Sequence, residues 1–257
     1  MKKTVVTGLC LLFASLVFAQ KFREHPEHNP KQEARNKGSV ILFHVTYAAH
    51  WTGADLADRF GFSNAIGPGL DFTTANNFIF GADFQYTYGT KVKEDPLDPI
   101  RVDSGYIVGF GRNIASVALR QRGFYLGGHV GKLFTFGNSN RSGLRLTLGA
   151  GVLRHSIRVQ DNSQSVPQLV DNYQKGYDRL TGGLALNQLI GYQLIGRTRS
   201  INYFIGFEFN QGFTRSLRDW DFAEMKKLEG SRFDFRYGIR VGWALPFYFT
   251  KPETVYY

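Results

Sequence analysis

The side chains of this 257-residue chain that could do chemistry are few: six histidines, one cysteine, and carboxylates and guanidiniums scattered along its length. Cys10 stands inside an apolar run, Val5 to Phe18, directly behind Leu9. A lipid-modified cysteine follows a small residue at the end of such a run, so Cys10 is expected to stay unmodified. No second cysteine exists, which excludes disulfides, thiolate metal sites and a cysteine nucleophile from the rest of the chain. His50 and the pair Asp103-Ser104 are the right groups for acyl transfer by a base-assisted hydroxyl. Asp-Ser in a polar stretch is also ordinary turn chemistry, and His50 beside Trp51 equally suits an aromatic girdle. His25-Pro26-Glu27-His28 could hold a metal loosely, but it falls in the charged stretch Lys21 to Lys37, whose composition is that of a disordered tail. No metal and no cofactor is therefore expected.

A larger set of charges is spread through stretches rich in glycine and aromatic residues. It comprises Asp71, Asp83, Arg145, Glu208, Asp234, Arg236 and Arg240, with His44, His129 and His155 among them. Charges buried in such surroundings persist only when paired, so these residues are expected to form an internal salt-bridge network.

Residues so far apart in sequence can meet only if distant strands lie side by side, and the chain reads as strands throughout. Beyond residue 37 no long segment keeps a helical period of apolar residues; apolar and polar positions alternate instead. The 23 phenylalanines, 13 tyrosines and 29 glycines fit a sheet whose aromatic face meets lipid. A strand crossing a membrane needs about 9 to 11 residues, and eight segments qualify. The clearest are 78–88, 144–155, 201–213 and 233–249. In the first, Phe78, Phe80, Phe84 and Tyr86 share one face while Asp83 and Gln85 share the other. Segments 39–49, 64–74, 123–136 and 183–195 follow the same rule. Lys132 falls among the lipid-facing residues of 123–136, near enough to an end to snorkel.

Ahead of the strands, Lys2 and Lys3, the apolar run and Ala19 make a secretory signal peptide with cleavage after Ala19. The expected organisation is a signal peptide at 1–19, a periplasmic tail at 20–37, a barrel at 38–249 and a C-terminal tail at 250–257. Short connections at 75–77, 137–142 and 197–200 alternate with long ones near 50–63, 89–122, 156–182 and 214–232. Membrane barrels have short periplasmic turns and long external loops. The fold class expected is all-β: an eight-stranded antiparallel up-and-down transmembrane β-barrel. A soluble barrel would hide its apolar face inside, whereas here the charges share the narrower face. The formal charge of +10 comes without a nucleic-acid-binding motif, so anionic outer-membrane lipid and lipopolysaccharide are the expected partners rather than nucleic acid.

From residue 38 onward the chain resembles the small eight-stranded outer-membrane barrels of the OmpA and OmpX type. The resemblance rests on the alternation and on the last strand, where Gly242, Leu245 and Phe247 or Phe249 match the spacing of the C-terminal assembly signal. Here Thr250 to Tyr257 follow the aromatic residue on which that signal usually ends. The resemblance implies an outer-membrane location in a Gram-negative bacterium. A barrel of eight strands holds only its own side chains, so no general diffusion pore is expected. Closing the last two strands symmetrically sets Glu208 opposite Gly238, with Arg236 and Arg240 as diagonal neighbours.

Enzymes also occur on this scaffold. Lipid A deacylases use a His-x-Ser pair that is absent here, while palmitoyl transferases place a histidine and an Asp-Ser pair in the loops where this chain has His50 and Asp103-Ser104. The 89–122 loop turns apolar at Gly105 to Gly111 and could form an extended hairpin, an inward plug or an extra pair of strands. In 214–232, Trp220, Phe222, Met225 and Leu228 predict a short amphipathic helix packed on the rim or on a partner. The function expected is non-enzymatic: a plugged barrel acting as a structural or partner-binding protein, with contacts through its loops or N-terminal tail. Alternatives are an accessory subunit of a barrel-assembly or type IX secretion complex, a lipid A acyl-modifying enzyme, and a narrow channel.

Overall fold

The computed structural model describes residues 38–136, 141–161, 166–195 and 202–248. The signal peptide, both tails, Phe249 and most of the turns at 137–142 and 197–200 lie outside the described residues. Among the described residues there are ten strands: β1 (Val40–Ala54), β2 (Ser63–Thr73), β3 (Phe78–Gly89), β4 (Ile107–Val108), β5 (Ile114–Ala115), β6 (Val117–Thr135), β7 (Gly143–Asp161), β8 (Thr181–Ile195), β9 (Asn202–Ser216) and β10 (Ser231–Tyr248). Eight of them close into a ring in the order β1-β2-β3-β6-β7-β8-β9-β10. Each pairs antiparallel with its neighbour, and β10 returns to β1 through Val40↔Tyr248 up to Ala54↔Asp234. Among the described residues the ring has no unpaired edge strand, which is what a sheet in hydrocarbon requires.

The two faces of the wall are inverted relative to a soluble barrel. Outward positions expose Phe43, Val45 and Tyr47 on β1, Phe80 and Phe84 on β3, and Ile205 and Phe207 on β9. Inward positions bury Asp71, Asp83, Arg145, Glu208, Asp234, Arg236 and Arg240. Lys132 does face outward near the short-turn end of β6, its ammonium 4.6 Å from the Phe78 ring and 5.8 Å from that of Phe134. Among the described residues no helix is long and apolar enough to cross a membrane; the strands do so.

Several strands run further than hydrocarbon thickness demands. β6 and β7 span 19 residues each, and their pairing continues to Val117↔Asp161. The long loops are correspondingly shorter than expected. The first retains only the short helix α1 (Asp55–Arg59) and its flanks. Of the three outcomes foreseen for 89–122, the structure combines two: an extended β6 and an extra strand pair, β4 with β5. The amphipathic helix expected within 214–232 does not form. Asp221 and Lys226 bridge as strand partners, the Asp221 carboxylate accepts the Glu224 N–H at 2.9 Å, and Met225 takes a positive φ of 51°. The ladders of β9 and β10 lead the chain into a hairpin there, and this turn chemistry outweighs a weak helical period.

Candidate functional site: the charged barrel interior

At the short-turn end the interior begins with an apolar layer of Val40, Leu42, Ile195 and Ala244. Arg141 lies buried beside it and donates to the Thr74 carbonyl at 2.8 Å, to Asn77 Oδ1 at 2.9 Å, and to the Gly38 carbonyl.

Above this layer four side chains from β1, β2, β3 and β6 form a square. His44 contacts Asp83 at 2.9 Å through Nε2 and Asp71 at 3.5 Å through Nδ1. His129 contacts the same two carboxylates in the opposite sense, Asp71 at 2.8 Å through Nε2 and Asp83 at 3.1 Å through Nδ1. Each carboxylate also meets an arginine: Arg145 lies 2.6 Å from Asp71, and Arg240 lies 2.6 Å from Asp83. The two guanidiniums approach the ring of Phe204 at 4.7 and 5.7 Å, and His44 meets the same ring edge-on at 5.5 Å. Two glycines make the square possible. A Cβ at Gly69 would stand 2.1 Å from His44 Nε2, and one at Gly81 would stand 2.5 Å from Asp71 Oδ1.

Glu208 organises the next level. Its carboxylate accepts from Gln85 at 2.7 Å and Asn187 at 2.6 Å, and lies 2.9 Å from His50 Nε2 and 3.4 Å from Arg240. Glu208 stands opposite Gly238 in the ladder, as symmetric closure predicts. Of the two diagonal arginines, Arg240 reaches it; Arg236 donates instead to Thr87 Oγ1 at 2.7 Å and Gln85 Oε1 at 3.2 Å. Higher still, Asp234 takes His155 at 2.8 Å and the Thr214 hydroxyl.

The external mouth is filled by the first loop. Leu56, within α1, and Phe60, just after it, pack on Ile157 with Val92 and Leu119 beside them. Arg59 turns into the barrel rim and donates to Glu94 at 2.5 Å and to Thr181 Oγ1 at 2.7 Å. Burial lowers the affinity of this guanidinium for its proton, and Glu94 opposes that effect. Beyond the rim three loops share an apolar core of Leu97, Ile107, Val159, Val166, Leu169 and Tyr177, with Phe222 packed against it. Burial, followed by the nearby Asp221, pushes the Tyr177 hydroxyl up. Arg179 holds the Glu224 carboxyl below its usual range.

The candidate acyl-transfer groups fall in different surroundings. His50 lies in β1, not in a loop, and is fully buried against Glu208. Ending the first strand at 49 puts His50 in the first loop, but β1 runs on to Ala54, and alternation puts Trp51 on the lipid face and His50 inside. Asp103 and Ser104 are exposed in the external loop. Among the four residues of the 214–232 loop, Trp220 and Met225 are exposed, Leu228 is half-buried, and Phe222 packs on Tyr173 and Tyr177. Gln85, Thr87, Asn187 and Phe204 were not anticipated as network members, although inward phase alone places them there. Among the described residues no group of three or more histidines and carboxylates is arranged to hold a metal.

No protein-family model and no curated protein matches the chain. Solved barrels do resemble it. The attachment invasion locus protein of Yersinia pestis, in a complex with the heparin analogue sucrose octasulfate, is 11% identical over 81% of this chain and 99% of its own, with a TM-score of 0.40. Neisserial surface protein A, from Neisseria, is 13% identical over 82% and 97%, with a TM-score of 0.41. The N-terminal barrel domain of Pseudomonas aeruginosa OprF is 10% identical over 80% and 98%, with a TM-score of 0.34. Likenesses this distant say nothing about activity, and the architecture stands on the chain's own ladder and inverted faces. On that ground the chain is an eight-stranded antiparallel transmembrane barrel, similar in architecture to the small OmpA/OmpX type.

Proposed function

We propose that the protein is a non-enzymatic outer-membrane barrel whose lumen is plugged by its own side chains and whose external loops present a surface to a partner. The observation carrying this reading is the ion-pair and hydrogen-bond network that runs from Asp71 through Asp83 and Arg240 to Glu208, Gln85 and Arg236, with the separate Asp234–His155 pair above it and apolar layers at both ends. Charges matched in this way favour a filled interior over a path for solute. Partner binding is supported by the loops. They hold a core of their own, yet leave Phe110, Ile114, Trp220 and Met225 in solvent. Apolar side chains held out on an ordered surface are more consistent with contact than with plain exposure.

Planar-bilayer recording of the purified chain tests the plug. The expected result is an absence of conductance steps at moderate voltage, and a reproducible ohmic conductance would overturn it. An Asp71→Ala, Asp83→Ala double variant, with Arg145 and Arg240 then unpaired, is expected to conduct or to lose its fold.

A further inference from the structure

The outer wall carries a second feature that the interior does not explain. On the lipid face, Leu126, Val152, Leu184 and Phe213 form one continuous rung across β6, β7, β8 and β9. All four are strongly exposed, which places the rung in hydrocarbon. The next outward positions change character abruptly. On β7 and β9 Arg154 and Arg215 come next after Val152 and Phe213; on β6 Phe124 intervenes before Arg122, and the pair Arg120 and Arg158 lies one outward position beyond Arg122 and Ser156. At about 3.3 Å per residue along the strands, the five guanidiniums run from roughly 7 Å beyond the apolar rung, at Arg154 and Arg215, to roughly 20 Å beyond it, at Arg120 and Arg158, a span that reaches headgroup depth.

Arg120 stands directly opposite Arg158 in the ladder, a pairing of like charges that destabilises a bare sheet. Arg154 and Arg215 flank the same residue, Gly182, which offers no side chain between them. Among the described residues none of the five has a carboxylate within ion-pair distance. The cations are also confined to one sector: at the corresponding ends of β1, β3 and β10 the wall presents Trp51, Tyr88 and Phe233.

We infer that the external ends of β6, β7 and β9 form a seat for a bisphosphorylated glycolipid of the outer leaflet, namely lipid A. Its phosphates would bridge Arg120 to Arg158 and Arg154 to Arg215, with Arg122 between the two pairs. Guanidinium pairs phosphate through two parallel N–H donors, and an anion between opposed arginines removes the repulsion that the ladder otherwise imposes. The acyl chains would descend over Leu126, Val152, Leu184 and Phe213. The inference rests on the proposed membrane orientation with long loops outward, but not on the plugged lumen, since a conducting barrel would carry the same seat.

Native mass spectrometry of the full chain released from neutral detergent micelles tests it, with diphosphoryl lipid A, monophosphoryl lipid A, phosphatidylglycerol and inorganic phosphate as probes. Diphosphoryl lipid A is expected to bind best and monophosphoryl lipid A more weakly, with phosphatidylglycerol and free phosphate at least about tenfold weaker. Arg120→Gln, Arg154→Gln and Arg158→Gln combined should lower lipid A binding by about tenfold or more. Lys91→Gln, Lys226→Gln and Lys227→Gln, which remove the same charge elsewhere, should leave it unchanged. Equal binding of lipid A and phosphatidylglycerol overturns the inference. So does a triple-arginine variant that folds and binds like the parent, or an equal loss in the lysine control. Should the arginine variant not fold, Arg158→Lys is read instead: it keeps the charge, loses the fork and should bind measurably more weakly.

Discussion

Replacing Arg240 by methionine asks whether the barrel interior is dry. The guanidinium lies 2.6 Å from one oxygen of Asp83 and 3.2 Å from the other, and 3.4 Å from Glu208, with all three side chains buried. Methionine matches its length and packs on Phe204, so little cavity results, and the loss is mainly that of charge. Asp83 would keep only its two imidazoles, and Glu208 its amides and His50. Breaking a buried pair in this way costs about 3–5 kcal/mol, whereas an ion pair bathed in water is worth about 0–1 kcal/mol. With a slope of about 2 kcal/mol per molar urea, the dry case moves the unfolding midpoint down by roughly 1.5–2.5 M. The assay is urea unfolding from lipid vesicles, followed by tryptophan fluorescence, with the slope checked for constancy. Adding Asp83→Asn to Arg240→Met should recover part of the loss, because the stranded carboxylate goes with it. A loss under about 1 kcal/mol at unchanged slope would refute the reasoning and indicate an interior open to water.

Other perturbations separate the parts of the structure. Gly69→Ala or Gly81→Ala pushes a methyl group into the histidine–aspartate square and should cost about 1–3 kcal/mol by urea unfolding. Gly128→Ala, whose Cβ would meet only a backbone oxygen at 3.6 Å on the lipid face, should be close to neutral by the same measurement. Phe207→Lys places a charge on the lipid face, where Phe207 is 59% exposed, and should destabilise the barrel by about 2–4 kcal/mol in vesicles if the residue lies near the midplane. Among single-tryptophan variants, brominated lipids should quench Trp51 and Trp243 but not Trp220; Trp51 and Trp243 left unquenched would overturn the assigned faces. Phe60→Ala empties the mouth of the barrel and should cost about 3–5 kcal/mol, with faster exchange of the Ile157 amide, which donates to the Asp178 carbonyl.

Much of the wall is legible in the sequence because a transmembrane strand obeys a single rule with period two. Asp83, Gln85 and Thr87 differ from Phe84 and Tyr86 in phase alone, and phase is what the structure obeys. Even the Glu208–Gly238 register follows from symmetric closure of one hairpin. What could not be read were contacts across the lumen, such as His44 with Asp83 or Gln85 with Glu208, since these depend on stagger around the whole ring. The expected first strand, 39–49, stops one residue short of His50, whereas β1 continues five residues beyond 49 and so takes His50 into the wall. The loops were least legible. The helical period of Trp220, Phe222, Met225 and Leu228 is real, but Phe222 is recruited to Tyr177 and Asp221 folds the tip back on itself. A short helical pattern yields there to contacts made by residues 45 positions away or more.

The division between wall and loops bears on where selection for a partner could act. Hydrocarbon stabilises the wall through any apolar outward side chain, so the identities of Ile205 or Val130 matter little there. It gives no help to the residues beyond the rim, where Leu97, Ile107, Val166 and Leu169 must bury one another to order three loops at all. Ordering such segments costs about 1–2 kcal/mol of backbone entropy per residue, and a barrel that only has to persist in a membrane gains nothing from it. The external core and the ion pairs Arg59–Glu94, Arg179–Glu94 and Arg218–Asp178 that tie it to the rim therefore support a role in which the shape of the loop surface matters. On that reasoning, trimming residues 218–229 to a tight turn should leave the urea stability of the wall within about 1 kcal/mol while raising proteolysis of the 90–116 loop, whose packing relies on Phe222. A wall destabilised as much as the loops would mean that the two form one cooperative unit, and the separation argued here would not hold.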